Sequence, residues 1–208
     1  MVLFVGELLA DMITEEHFEN AEHFILKLGG SPGNIARYLS QLGKKARMLS
    51  RVGYDIIGKR IIKNLSGYGV DISYIQVDDT VGTTLVFVQR TEFSPRFFAI
   101  RGADRFLEYP NNEIFNDVEF VHFSCWPFTT KPVSEITDRL LEVALERNVK
   151  IAFDPNCRDE LFSCGRIDRD RITSIMQFVE YSKPSLDDSI AIFGDVEYDF
   201  DDKIKYYI

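Results

Sequence analysis

Five short segments carry side chains suited to binding or transforming a small polar molecule. The first is Gly29-Gly30-Ser31-Pro32-Gly33-Asn34, a glycine-rich bend ahead of an apolar period. Glycines let a backbone approach a ligand closely, and the start of a helix presents unpaired N–H groups. Asn34 adds a side chain that both donates and accepts, as sugar hydroxyls require. No lysine follows, so this is not a phosphate-cradling Gly-x-x-x-x-Gly-Lys-Ser/Thr loop, and the spacing is not Gly-x-Gly-x-x-Gly. A tight strand-to-helix turn capped by Ser31 accounts for the same residues equally well.

Asp11 follows the first apolar run, where its carboxylate can accept from two sugar hydroxyls or simply sit in a solvated loop. Arg101-Gly102-Ala103-Asp104 closes a hairpin pattern, so Arg101 can clamp an oxygen-rich ligand or pair with a nearby acid. Phe153-Asp154-Pro155-Asn156-Cys157-Arg158 ends another apolar run and gathers Asp154, Asn156 and Arg158; an Asx turn at Asp154 is the plain alternative. In Lys183-Pro184-Ser185-Leu186-Asp187-Asp188 the acids can hold Mg²⁺ through water, and Ser185 with Asp188 also spells a capping box. His17, His23 and His122 match no zinc spacing, nor do Cys157 and Cys164. His122 alternates within an apolar strand and reads as a packed core histidine. Cys125 and Trp126 follow that strand, bordering a site or merely packing.

These residues need elements to position them. Val2 to Leu8 reads as a buried strand, and residues 12–28 as one or two exposed strands. Ile35, Leu39 and Leu42 fall on one helical face that Gly43 ends. Ala46 to Val52 reads as a strand, then Ile57, Ile61 and Leu65 repeat as a helix stopping near Gly67 and Gly69. Residues 82–101 form a hairpin around Ser94-Pro95. Strands at 118–123, 149–153 and 181–183 alternate with helices at 133–147 and 168–180 and one opened by Ser185. That rhythm predicts a mostly parallel sheet covered on both faces, with ligands at the carboxyl ends of its strands. The tail from Asp195 to Ile208 has no clear period.

The 208 residues carry 33 acidic and 24 basic side chains, a formal charge of -9. Such a surface repels phosphate backbones and argues against nucleic-acid binding. No apolar run reaches the roughly 20 residues that span a bilayer, and the N-terminus lacks the pattern of a signal peptide. Three cysteines cannot all pair, so a reducing cytoplasmic setting is expected.

In order and spacing, these segments resemble the ribokinase-like (PfkB-type) carbohydrate kinases, nearest to fructokinase and 2-keto-3-deoxygluconate kinase. The resemblance runs from Gly6-Glu7-Leu8-Leu9-Ala10-Asp11 through Gly29 to Ala36, Leu42-Gly43, Arg51-Val52-Gly53-Tyr54-Asp55 with Gly58, Gly69-Val70-Asp71, Thr83-Thr84, Arg101 to Asp104 and Phe153 to Arg158, ending at Lys183 to Asp188. It implies one ribokinase-like α/β domain over residues 1–208, a three-layer sandwich. A small β-sheet lid would be built from residues 12–28 and 83–101. By resemblance, Asp11, Gly29, Gly30 and Asn34 bind the sugar and Arg101 faces it from the lid. Asn156 and Arg158 lie near the phosphates or the substrate's far end, with Ser185 and Asp188 in the Mg²⁺ and phosphate region and no direct metal ligand. ATP and Mg²⁺ are the implied cofactors and a homodimer through the lid the implied assembly. The Gly-Ala-Gly-Asp segment that supplies the family's anion hole and general base does not occur. The expectation is therefore a C-terminally incomplete fold lacking most of the adenine site and nearly inactive in transfer, or a non-catalytic sugar-binding or dimerisation module.

Overall fold

Two alternations of side chains build the molecule, one along a parallel sheet and one along a smaller mixed sheet. The computed structural model describes residues 1–91, 95–156, 158–159 and 168–194. Among them the main sheet has the order β10-β9-β8-β1-β4-β5, formed by β1 (Val2–Val5), β4 (Ala46–Gly53), β5 (Asp71–Asp78), β8 (Phe120–Ser124), β9 (Lys150–Asp154) and β10 (Tyr181–Ser182). Every neighbouring pair in it is parallel. The smaller sheet has the order β3-β2-β6-β7, from β2 (Leu9–Thr14), β3 (Ile25–Gly29), β6 (Thr84–Gln89) and β7 (Arg96–Ile100). Its β2–β6 pair is parallel and its other two pairs are antiparallel.

Successive residues of β1 enter opposite layers. Leu3 and Val5 join Val121, Phe123, Ile151 and Phe153 under α3 (Val133–Glu146), α4 (Arg169–Met176) and α5 (Leu186–Phe193). Phe4 joins Met48 under α1 (Ser31–Gln41) and α2 (Ile56–Gly67), against Ala36, Ile61 and Leu65. Each such side chain contributes about 1.5–3 kcal/mol on burial. The result is the three-layer α/β sandwich that the alternating pattern predicts. A third cluster, Leu9, Val86 and Trp126, joins the small sheet to the main body.

Two local readings change, and one strand is not read from the sequence at all. The apolar run from Val2 breaks after Val5, and Leu9 already belongs to the small sheet, which therefore starts before residue 12. The periodicity of α1 misplaces its buried face: Pro32, Gly33 and Ala36 are buried, Ile35 and Leu42 are exposed, and Leu39 is partly buried. Small residues let the helix lie close to the chain beneath it, since a Cβ on Gly33 would sit 2.4 Å from Leu8 Cδ2. Finally, β5 is an edge strand with mostly half-buried side chains, so it shows no clean alternation to read. Gly43 ends α1 as expected, at φ 77°, with its N–H on the Ser40 carbonyl and the Lys44 N–H on the Leu39 carbonyl. The hairpin tip at 92–94, Cys157, Cys164 and the tail from Asp195 lie outside the described residues.

Candidate functional site

A hollow of about 390 Å³ opens where the carboxyl ends of β1 and β9 meet the start of α1 and one face of the small sheet. Its volume lies within the range of small-molecule sites. Leu9, Asp11, Val86 and Phe97 come from the small sheet, Ser31, Asn34 and Tyr38 from α1, and Asn156 and Arg158 from beyond β9. Strand alternation explains the first group: Asp11 stands opposite Val86, so both share one face of that sheet.

Asp11 is half-buried, and burial pushes its carboxyl up to about 6. No protein donor among the described residues reaches it, and the side chain of Asn34 is likewise without a partner. Two unspent polar groups thus face one hollow alongside apolar Leu9, Val86, Phe97 and Trp126. Gly29 makes room for the carboxylate, because a Cβ there would lie 2.2 Å from Asp11 Oδ2. Gly30 caps α1 at φ 100°, where a side chain would meet the Glu7 carbonyl oxygen at 2.3 Å. Where the sequence suggests close approach to a ligand, the structure shows these two glycines packed closely against Asp11 and Glu7 of the chain itself.

Ser31 is the first residue of α1, not its cap, and two acids hold it. Its N–H donates to Glu7 Oε1 at 3.1 Å and its hydroxyl to Asp154 Oδ2 at 2.5 Å. Burial pushes Glu7 up to about 7, against hydrogen bonds from Ser124 Oγ, at 2.6 Å, and from the Ser31 N–H. Burial also raises Asp154, opposed by the Ser31 hydroxyl. The N–H and hydroxyl of Ser31 are therefore both engaged by protein carboxylates.

At the far end, Asn156 and Arg158 line the hollow. Arg158 reaches Asp188 Oδ1 at 3.2 Å. Asp188 accepts from the Ser185 N–H at 2.8 Å and hydroxyl at 2.7 Å, completing the predicted capping box. Ser185 and Asp188 thus stand behind Arg158 and outside the lining. Among the described residues, no group of three His, Cys, Asp or Glu is placed to hold a metal ion.

Arg101 also stays outside the lining. It donates to Asp104 Oδ2 at 2.6 Å and to Thr129 Oγ1 at 2.8 Å, and its guanidinium lies 4.6 Å from the centre of the Trp126 ring. It touches the hollow only through Trp126, one of the lining residues. Sequence reasoning overlooked Glu7, Ile35, Tyr38 and Phe97 as lining residues. Glu7 had a signal, an acid closing a buried apolar run; the others look like ordinary core or surface side chains. His122 is the packed histidine expected: its ring lies 5.3 Å from that of Phe4 at a tilt of 47°, and burial pushes it down to about 4.

Residues 1–207 match the description pfkB family carbohydrate kinase. The chain belongs to that family. It is 34% identical over 197 residues to an ATP-dependent 6-phosphofructokinase of Thermoanaerobacterium thermosaccharolyticum, covering 93% of this chain and 61% of that one. The fructokinase structure of Halothermothrix orenii superposes with a TM-score of 0.90 at 31% identity, over 99% of this chain and 74% of that one. A sugar kinase of Pyrococcus horikoshii solved in complex with ATP superposes at 0.83 and 27% identity, over 93% of this chain and 66% of that one. The chain spans between 54% and 62% of the length of its curated relatives. In this family setting the six-stranded parallel sheet with its small mixed sheet is the ribokinase-like arrangement, as the motif order implies. No helix of the described residues is long and apolar enough to cross a membrane.

Proposed function

We propose that this chain carries the sugar-recognising half of an ATP-dependent carbohydrate kinase and that its hollow takes a ketose, with fructose as the reference ligand. The observation that carries this reading is the pair of unspent groups, the Asp11 carboxylate and the Asn34 amide, facing one hollow with an apolar wall. A carboxylate accepts from two hydroxyls at once and an amide both donates and accepts, while the apolar wall suits the C–H face of a sugar.

In the reaction class, a sugar hydroxyl oxygen attacks the γ-phosphorus of ATP, the bond to the β–γ bridging oxygen breaks, and the hydroxyl proton passes to a base. Positioning and charge neutralisation dominate such a transfer. Asp11 and Asn34 would hold the sugar, and Asn156 with Arg158 would meet the oxygen-rich end of the substrates. Mg²⁺ bound to the nucleotide would neutralise phosphate charge. Asp188, engaged by Ser185 and Arg158, forms no three-ligand metal site with its described neighbours. The sequence holds no Gly-Ala-Gly-Asp segment to supply an anion hole and base. Transfer by these 208 residues should then fall several orders of magnitude below that of a complete site. A cytoplasmic setting, where ATP is made, fits this reading.

Calorimetry with fructose, run beside an assay of ADP release, tests both parts. The reading expects saturable fructose binding that weakens at least tenfold in Asn34→Ala, with negligible turnover. Absence of binding by any sugar would refute the recognition claim, and brisk turnover would refute the catalytic one.

A further inference from the structure

Asp104 is a buried acid with three donors from three parts of the chain. It accepts from Thr84 Oγ1, at the start of β6, through a short hydrogen bond. It accepts from Arg101, just beyond β7, at 2.6 Å and 3.1 Å. It also accepts from the indole N–H of Trp126, beyond β8, at 2.6 Å. Arg101 in turn covers a face of the same indole and is tied to Thr129, whose hydroxyl donates to the Trp126 carbonyl at 2.8 Å. The indole is therefore fixed at its polar edge by Asp104 and over its ring by Arg101, while Leu9 and Val86 pack against it. Trp126 is only 7% exposed, and that remaining surface borders the hollow that holds Asp11 and Asn34.

Building on the sugar-binding reading, we propose that Trp126 is the platform against which the C–H face of the sugar lies, and that Asp104 is the positioning residue that sets the indole. Aromatic rings bury large apolar area in a fixed geometry, and an indole needs a partner for its N–H when buried. An acid shared by both sheets supplies that partner. Arg101 acts through the ring: its charge is neutralised by Asp104, and cation–π contact holds the indole flat. The discrimination that follows is for the sugar's apolar face, complementary to the hydroxyl recognition by Asp11 and Asn34. A ligand with hydroxyls but no continuous C–H face, such as a short linear polyol, should bind much more weakly than fructose.

Trp126 is the only tryptophan of the chain, so its emission reports on this ring alone. Titrating the purified chain with D-fructose should shift or quench that emission with the same midpoint as calorimetry. Trp126→Phe should bind fructose with only a few-fold loss, and Trp126→Ala with a loss of tenfold or more. Asp104→Ala should red-shift the emission of the free protein and weaken fructose about tenfold; Asp104→Asn, which still accepts from the indole, should recover most of both. Melting curves identify any variant that fails to fold, and the wild-type titration and Trp126→Phe then decide. Calorimetric binding that depends on Asn34 but leaves the emission unchanged, or survives intact in Trp126→Ala, overturns the platform while sparing the sugar site. Failure of the wild-type chain to bind fructose or any other sugar overturns both.

Discussion

Among the described residues, the half-buried Asp11 carboxylate has no protein partner. Burial pushes its carboxyl up to about 6, so the charged form that would accept from sugar hydroxyls is lost as the pH falls through that value. Fructose affinity should be level above about pH 7 and fall by about tenfold per unit well below pH 6. Asp11→Asn should bind weakly at every pH, and a wild-type affinity flat from pH 8 to 5 would exclude Asp11 from the contact. The sequence singles out Asp11, Gly30, Asn34, Asn156 and Arg158, and the structure places all five around one hollow. What stayed hidden was the contact of Arg101 with Trp126. Nothing in the spacing of Arg101 and Asp104 says that the guanidinium turns onto Trp126, because that contact joins residues 25 apart through the tertiary fold.

Elements fix those residues, and their ends matter most. Asp55 caps α2 by accepting from the Ile57 N–H at 2.9 Å and the Gly58 N–H at 2.8 Å. The same carboxylate takes the Thr83 N–H at 2.6 Å and its hydroxyl at 2.9 Å, and so pins the entry to β6. Burial works against its charge, yet these bonds from Gly58, Thr83 and Ile57 hold its carboxyl below the usual carboxylate range. Asp55→Ala should destabilise the fold by about 2 kcal/mol, the cost of a cap plus an orphaned hydroxyl. The deficit should shrink in acid, where the wild-type carboxyl takes up its proton and the stability that its charge contributes is lost. Chemical denaturation at pH 7 and at pH 3 checks both; equal deficits would contradict the ionic origin. The capping residues of α2 and α5 follow from local chemistry. The rotation of α1 does not, because it is set by how closely Pro32, Gly33 and Ala36 approach the chain beneath them rather than by hydrophobic period. Likewise β5 offers no alternation because an edge strand is only half covered.

For the whole molecule, the small sheet does two jobs with its two faces. Phe97 and Ala99 turn inward to Leu9, Val86 and Trp126, while Phe98 and Ile100 between them are exposed. Phe98 lies 6.1 Å from Phe87, which meets Phe24 edge-on, making an aromatic outer face. Pairing of two copies through this face is the assembly we propose; sedimentation should show a dimer that Phe98→Arg dissociates, and a monomer at all concentrations would refute it. The proposed place of the sugar is the hollow between the two sheets. A crystal of the chain grown with saturating fructose should show one fructose there, with hydroxyls on Asp11 and Asn34 and its C–H face on Trp126; fructose bound elsewhere, or a hollow left to water, would rule that place out.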